Sequence, residues 1–165
     1  MYILDVETKE LIKVDILLVT SNELPLKKEG WNFHWKQLFK EPNTLTFVLK
    51  TKTDSSSIEG MLHLKIENNM LIMDVIEIAP HNIGNINKKY DYVAGCLIAY
   101  ACRESFKIEG NYKGFLTFTS KTDLIEWYIN KYGATQAIGQ KMFISPDKGA
   151  LLIKKHLNKE NYEKL

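Results

Sequence analysis

Alternating apolar and polar positions dominate the first half of the chain and predict β-strands there. Residues 11–19 are rich in residues that favour strands, and the alternation runs through residues 44–50 and 60–67. Asn68-Asn69 is a turn signal after the last of these segments, and residues 51–57 form a polar, hairpin-like connection. The mostly apolar residues 71–79 follow, a composition typical of a strand in the middle of a sheet.

Apolar residues spaced three or four apart predict helices in other parts of the chain. Residues 31–40 form the first helix, stopped by Glu41-Pro42-Asn43. Residues 92–106 have the clearest helical stripe. Residues 120–132 form another helix, with Ser120 as its N-cap and Gly133 just past its C-terminus.

The remaining segments complete a mixed α/β pattern. Residues 115–119 predict a short buried strand and residues 134–144 a strand-like segment. Asp147 is the expected N-cap of a final helix reaching about residue 157, although residues 150–154 also suit a last strand. We find no repeat and no linker, so residues 1–165 are expected to form a single domain in which residues 158–165 are a frayed tail.

Composition and charge exclude several function classes. The 22 basic and 20 acidic residues give a net charge of +2, which provides no reason to expect nucleic acid or an anionic membrane as partner. No apolar run approaches the roughly 20 residues that a membrane-spanning helix needs. Cys96 and Cys102 lie on different faces of one helix, and no Cys or His pair has zinc-ligand spacing. We therefore expect a reduced, cytoplasmic protein without metal.

One stretch of the chain has the order strand, irregular loop, long helix. The apolar strand at 71–79 leads through a Pro- and Asn-rich loop at 80–87 to the helix at 92–106. This order places a helix N-terminus just beyond a sheet edge, where free backbone N–H groups and the helix dipole favour a phosphate. The small residues Ala94 and Gly95 would let a pyrophosphate approach the backbone closely. An ordinary strand-to-helix turn is the alternative interpretation.

The same stretch resembles the GNAT superfamily of acyl-CoA N-acyltransferases. That family has an Arg/Gln-x-x-Gly-x-Gly/Ala loop whose backbone amides hold the coenzyme A pyrophosphate. The matching residues here, in which Tyr92 stands in the place of the first glycine, are Lys89, Tyr90, Asp91, Tyr92, Val93, Ala94 and Gly95.

A second stretch extends the resemblance to an uncharacterised acetyltransferase-like subgroup. It contains a phenylalanine strand at Phe118, the helix start Ser120-Lys121-Thr122, and Leu-Ile-x-x-Tyr ending at Tyr128. The resemblance covers residues 60–157. It implies a mixed α+β fold with a mostly antiparallel twisted sheet, splayed at its middle and flanked by helices.

The resemblance also implies roles for individual residues. Tyr128 would protonate the departing thiolate, a task that suits a phenol with its ordinary pKa near 10. Glu77 is one candidate base for the incoming amine and His81 is another. Each of the three also has a purely structural interpretation, as a packed aromatic, a satisfied carboxylate or a surface histidine.

The remaining expectations concern the substrates. Backbone groups of Ile78 and Ala79 would hold the pantetheine arm, with Ser120, Lys121 and Thr122 nearby. Lys88 and Lys89 would meet phosphates or, alternatively, be solvated surface lysines. Aromatic residues at Trp31, Phe33 and Trp35 would line the acceptor side or simply pack in the core.

The resemblance thus implies an acetyl-CoA-dependent N-acetyltransferase. Its partners would be a coenzyme A thioester and a small-molecule or peptide amine, joined directly in a ternary complex. A GNAT-fold module that binds acyl-CoA or a protein with little catalysis is the alternative. The sequence leaves the acceptor unidentified and a homodimer open.

Overall fold

A computed structural model describes residues 1–158, and the predicted frayed tail falls almost wholly outside these residues. The described part contains nine strands: β1 (Tyr2–Asp5), β2 (Leu11–Leu18), β3 (Thr44–Thr51), β4 (Gly60–Glu67), β5 (Met70–Ile78), β6 (Tyr90–Asp91), β7 (Leu116–Thr119), β8 (Thr135–Gln136) and β9 (Lys141–Ile144). Its α-helices are α1 (Trp35–Phe39), α2 (Val93–Ser105), α3 (Ile125–Tyr132) and α4 (Pro146–Leu157). None of the described helices is long and apolar enough to cross a membrane.

The nine described strands form one sheet in the order β6-β1-β2-β3-β4-β5-β7-β9-β8. Every neighbouring pair is antiparallel except β5 and β7, which are parallel. The parallel pair is possible because the crossover from β5 to β7 includes the long helix α2. The predicted fold class, a mixed α/β structure with a mostly antiparallel sheet, is confirmed.

The hairpin of β4 and β5 forms the middle of the sheet. Asn68 and Asn69 both have positive φ, 50° and 58°, as a two-residue turn of the primed type requires. Asparagine tolerates this left-handed conformation better than most residues. The turn fixes the register over the whole of β4, with one irregularity between His63 and Leu64.

Apolar side chains cover both faces of the sheet. Helices α2 and α4 pack together over one face, where Leu97, Ile98 and Leu116 are completely buried. On the other face, Trp31 and Trp35 from the α1 region pack on Val48 and Met61. Cys96 and Cys102 are buried, unbridged thiols of α2, and burial raises the pKa of Cys102 to about 12.

The first predicted helix is much shorter than expected. Only Trp35–Phe39 is helical, instead of residues 31–40. The backbone N–H groups of Asn32 and Phe33 donate to the Glu77 carboxylate, and His34 has a non-helical ψ of 78°. Tertiary hydrogen bonds therefore hold the segment before α1 in an irregular conformation despite its helical spacing.

Two predicted helix caps are also wrong. Ser120 does not cap a helix, because its hydroxyl donates to the Lys121 carbonyl and α3 begins only at Ile125, after a 3-10 turn. The final helix is capped by Ser145, whose Oγ accepts from the Lys148 N–H, and Asp147 lies in its first turn. The strand alternative for residues 150–154 is wrong, since α4 runs through them.

The strand-like segment at 134–144 contains two short strands, β8 and β9, paired as a hairpin. Gly133 ends α3 in the left-handed conformation, with φ 65°, as predicted.

Candidate active site

The strands β5 and β7 diverge and leave a cleft at the middle of the sheet. They pair only at Leu71–Leu116 and Ile72–Thr117, after which β5 continues to Ile78 without β7 beside it. The Ala79 N–H donates to the Glu59 carbonyl on the β4 side. Because successive residues of a strand direct their N–H groups to opposite sides, the N–H of Ile78 points into the cleft.

A cavity of about 300 Å³, here called the cleft cavity, occupies this divergence. Its walls come from the end of β5, the segment after β7, the start of α3 and the segment before α1. The lining residues that matter below are Asn32, Phe33, Glu77, Ile78, Ser120, Lys121 and Tyr128.

A second cavity, the helix pocket, lies at the N-terminus of α2 and has a volume of about 140 Å³. The side chain of the N-cap residue Tyr92 makes no capping hydrogen bond, and the first backbone N–H groups of any helix lack intrahelical partners. The ammonium-bearing residues Lys88 and Lys131 line the pocket. The helix pocket therefore combines a helix N-terminus with two cationic side chains.

Both cavities lie along the same two elements. Ile78 lines both, Tyr128 lines the cleft cavity, and Trp127, Lys131 and Tyr132 of the same helix line the helix pocket. We call this course, between β5 and α3, the β5–α3 groove. One of its cavities lies at the α2 N-terminus and the other lies in the opening between β5 and β7.

The predicted pyrophosphate residues fall mostly on the helix pocket. Its lining includes Tyr90, Asp91, Tyr92, Val93, Ala94 and Gly95. Tyr92 adopts the left-handed conformation, φ 70°, directly before α2, so it takes the backbone geometry that glycine adopts easily. Its N–H donates to the Asp91 carboxylate at 2.7 Å. Tyr90 and Asp91 also form β6, an edge strand that sequence reasoning missed because it is only two residues long.

Lys88, rather than Lys89, lies at the helix pocket. The Lys89 ammonium lies 5.0 Å from the Tyr90 ring centre, and Lys89 lines a separate depression beside Asp5. The Lys88 ammonium lies 2.9 Å from Asp91 Oδ1. Lys131, on α3, also lines the helix pocket. The sequence did not predict this, because no local pattern shows that Lys131 lies near Lys88 and the start of α2.

Gly95 packs against the His156 ring of α4, and both residues line the helix pocket. A Cβ on this residue would lie 2.7 Å from Nδ1 and 3.0 Å from Nε2 of the buried His156 ring. The absence of a side chain at Gly95 therefore makes room for the His156 ring, and the predicted approach of a ligand to this backbone stays a prediction. Burial lowers the pKa of His156 to about 4, so its ring is neutral at pH 7. Ala94, half-buried, lines the open side.

Tyr128 is buried on α3 and lines the cleft cavity. Its ring centre lies 4.7 Å from that of Phe118 on β7. Burial raises the pKa of the Tyr128 phenol, because a low-dielectric environment disfavours the phenolate. The phenol is therefore protonated across the neutral range, which is the form a proton donor needs.

Glu77 is buried and accepts three hydrogen bonds. Its Oε1 accepts from the Asn32 N–H at 2.5 Å, and its Oε2 accepts from Trp35 Nε1 at 2.8 Å and from the Phe33 N–H at 3.4 Å. These bonds fasten the segment before α1 to the end of β5. Asn32, Phe33 and Glu77, which form this attachment, all line the cleft cavity.

His81 forms a pair with a carboxylate that the sequence analysis did not single out. Its Nε2 lies 2.5 Å from Oε2 of Glu59, which is only 1% exposed. Asn82 Nδ2 and Ser57 Oγ donate to the same carboxylate. Glu59 and His81 are 22 residues apart, so only the pairing of β4 with β5 brings them together.

The His81 cavity, of about 560 Å³, lies on the α1 side of the sheet. Its walls include Trp31, Ala79, Pro80 and His81. Of the predicted acceptor-side aromatics, Trp31 lines this cavity and Phe33 the cleft cavity, while Trp35 is 1% exposed and belongs to the core.

Only some of the residues predicted to contact pantetheine lie at the cleft cavity. Ser120 and Lys121 line the cleft cavity, whereas the Thr122 hydroxyl accepts from Gln140 Nε2 outside it. The Ala79 N–H and carbonyl are both bonded within the chain, to Glu59 and Asn82. Ile78 is the residue of this pair whose backbone faces the cleft.

Several solved structures share this architecture at low sequence identity. The AtaTR structure bound with acetyl-CoA superposes with a TM-score of 0.61 at 12% identity, over 84% of this chain and 97% of that chain. The KacTA–DNA complex gives 0.62 at 12%, over 87% and 99%. A mutant of the spermidine N-acetyltransferase SpeG from Vibrio cholerae gives 0.55 at 13%, over 89% and 98%.

No family model matches the chain, and no curated protein matches its sequence. The chain nevertheless has the fold of the GNAT acetyltransferases, as the structural neighbours share it over nearly their whole length. The predicted resemblance to this superfamily is confirmed at the level of the fold.

Proposed function

We propose that the protein is an acyl-CoA-dependent N-acyltransferase whose donor, acetyl-CoA, binds in the β5–α3 groove. The observation that carries this proposal is that Ile78 and the helix α3 line both cavities of the groove. One cavity lies at the N-terminus of α2, which suits a diphosphate, and the other lies between two diverging strands, which suit an extended arm with amide groups. Among the structural neighbours, AtaTR was solved with acetyl-CoA.

The diphosphate would bind at the helix pocket. Backbone N–H groups of Val93, Ala94 and Gly95 begin α2, and the helix dipole adds positive potential there. Lys88 and Lys131 add two ammonium groups, with Lys88 exchanging Asp91 for a phosphate oxygen. The pantetheine arm would then extend along β5, where the backbone of Ile78 supplies hydrogen bonds like those of a missing neighbouring strand.

The acyl transfer would occur in the cleft cavity beside Tyr128. The amine nitrogen forms a bond to the thioester carbonyl carbon, and the carbon–sulfur bond breaks. The departing thiolate takes a proton from the Tyr128 phenol, and the nitrogen gives up a proton to a base. Products are an N-acyl amine and coenzyme A, so no further reactant is needed.

His81 is proposed as the base, and its pairing with Glu59 at the His81 cavity supports this proposal. In the tautomer whose Nε2–H donates to the Glu59 carboxylate, Nδ1 is the nitrogen that can accept a proton. None of the hydrogen bonds among the described residues involves this Nδ1. The lone pairs of Glu77 already accept three donors, so its role as base stays a prediction with less support.

The acceptor is proposed to be a primary amine that reaches the cleft from the His81 cavity. The carboxylates of Glu23 and Glu29 line that cavity, and an amine is a cation until it is deprotonated. Lys50 pairs with Glu23 at 3.2 Å, so Glu29 is the less neutralised of the two. SpeG is named as a spermidine N-acetyltransferase, which supports an amine acceptor in this fold. The absence of a nucleic-acid partner stays a prediction, since KacTA was solved with DNA.

Calorimetry with coenzyme A and acetyl-CoA tests the proposal first. Lys131→Ala should weaken binding by about tenfold, the value of one charge-assisted contact. Lys113→Ala, on an exposed loop away from the groove, is the matched control and should bind normally. No affinity for either compound in folded protein would refute the proposal.

Thiol release on a panel of primary amines then tests the chemistry. Turnover with at least one amine supports the transferase. Binding of acetyl-CoA without turnover on any amine supports the alternative, a GNAT-fold module that binds acyl-CoA with little catalysis.

A further inference from the structure

Three potential metal ligands from separate elements converge next to the hairpin of β4 and β5. They are His63 on β4, Asp74 on β5 and Glu41, between α1 and β3. His63 Nε2 lies 3.6 Å from Glu41 Oε2 and 3.9 Å from Asp74 Oδ2. All three ligand atoms lie within 4.8 Å of one another.

The His63 ring is fully buried and has one unsatisfied nitrogen. Its Nδ1 is 2.9 Å from the Thr46 hydroxyl on β3, which fixes the orientation of the ring. Its Nε2 is buried and has no hydrogen-bond partner among the described residues. Buried polar atoms nearly always have a partner, so this nitrogen requires an explanation. The ring directs it at the two carboxylates.

The charges of the cluster favour a further cation. Glu41 and Asp74 supply two negative charges, and Lys65 supplies one positive charge, 3.2 Å from Asp74 Oδ1 and 3.9 Å from Glu41 Oε2. Two carboxylates against one lysine leave an excess of negative charge beside the unsatisfied Nε2 of His63.

We propose that His63 Nε2, Glu41 and Asp74 bind one divalent first-row transition-metal ion of the zinc class. Metal–ligand bonds of about 2.0–2.2 Å would place tetrahedral ligands roughly 3.4 Å apart, close to the 3.6 and 3.9 Å that separate His63 Nε2 from the two carboxylates. The imidazole nitrogen selects against Mg²⁺ and Ca²⁺, which take oxygen ligands. The Thr46 hydroxyl contacts Nδ1, the other ring nitrogen, and metal-bound histidines commonly have such a hydrogen-bonding partner there.

The ion would connect three elements around the candidate active site. Asp74 also lines the cleft cavity, and Glu41 follows the helix whose preceding segment is held by Glu77. The proposal concerns binding and does not depend on acyl transfer. The spacing of Cys and His residues along the chain predicted no metal. The ligands proposed here are far apart in the sequence, and only the fold brings them together.

Titration of chelator-treated protein with Co²⁺, followed by its visible absorption bands and displaced by Zn²⁺, tests the site. One equivalent should bind. Asp74→Asn, Glu41→Gln and His63→Gln should each weaken binding by at least about tenfold, the lower end of what loss of a supporting partner costs. Glu67→Gln is the matched control and should leave the affinity unchanged, because it removes an exposed carboxylate at the end of β4, the strand that contains His63.

Nitrogen NMR of the His63 ring supplies a readout that binding elsewhere would not change. Zinc should move the Nε2 resonance to that of a metal-bound nitrogen in the wild type and in Glu67→Gln. The proposal is overturned if no stoichiometric binding occurs, if Mg²⁺ binds as well as Zn²⁺, or if binding survives Asp74→Asn. It is also overturned if Nε2 carries a proton at saturating Zn²⁺, since the cluster would then be an ordinary histidine–carboxylate–lysine ion cluster.

Discussion

Adding one methyl group at Gly95 should destabilise the protein through a single neighbour, the His156 ring. An alanine Cβ at this position would lie 2.7 Å from Nδ1 and 3.0 Å from Nε2 of His156, well inside ordinary contact, and closer still to Cε1. Both residues are buried, so the ring must shift against packed surroundings. Overpacking of this kind costs about 1–3 kcal/mol.

The helical location of Gly95 offsets part of that cost. Alanine is favoured over glycine within a helix by about 1 kcal/mol. The net effect of Gly95→Ala is therefore a loss of about 1 kcal/mol, or roughly 2–4 °C in Tm for a chain of this size. In the His156→Ala background the ring is absent, and the same Gly95→Ala substitution should stabilise by up to about 1 kcal/mol.

Urea denaturation of the four variants measures this reversal of sign as a coupling energy of about 2 kcal/mol. Gly149→Ala is the matched control, because this helical glycine in α4 has room for a Cβ, with Cys102 Cβ 3.4 Å away. It should stabilise the protein in either background. A Gly95→Ala effect of the same size and sign with and without the His156 ring would refute the packing argument.

Three further predictions concern the candidate active site and its surroundings. Tyr128→Phe should lower kcat by about 100-fold with little change in the KM for acetyl-CoA, because only the proton donor is lost; an unchanged kcat would exclude this role. Glu77→Gln should cost about 1.5–3 kcal/mol in urea denaturation, since an amide replaces a buried carboxylate facing N–H donors, whereas exposed Glu67→Gln should cost almost nothing. His156 has a pKa of about 4 in the folded protein and about 6.5 in the unfolded chain, so below pH 6.5 only the unfolded chain takes up a proton there. The stabilising effect of the neutral ring is therefore complete above pH 6.5 and is lost as the pH falls towards 4. Wild-type protein should therefore lose about 2 kcal/mol more than His156→Gln between pH 7.5 and about pH 5, and equal losses would contradict the assigned pKa.

The base assignment shows why the site was only partly predictable. Sequence reasoning selected His81 and Glu77 as alternatives without a means of choosing between them. The structure adds partners for both: Glu59 for His81, and the Asn32 backbone with Trp35 for Glu77. These partners lie 22, 45 and 42 residues away in the chain, beyond the reach of any local pattern.

The sequence by itself determined the elements whose geometry depends on near neighbours. Asn68-Asn69 predicted the β4–β5 turn because asparagine tolerates positive φ, and the apolar stripe of α2 predicted its helix because side chains three or four apart share a face. Glycine after α3 acted in the same local way.

Only the tertiary structure decided which of these elements meet and where they separate. The pairing of β5 with β7 stops after two residue pairs, and this opens the cleft, puts Tyr128 across from the end of β5 and aligns Lys131 with the α2 N-terminus. The same long-range packing shortened α1, filled the space at Gly95 with His156 and gathered Glu41, His63 and Asp74. Such contacts depend on the burial and hydrogen bonding of distant segments, which spacing along a chain does not encode.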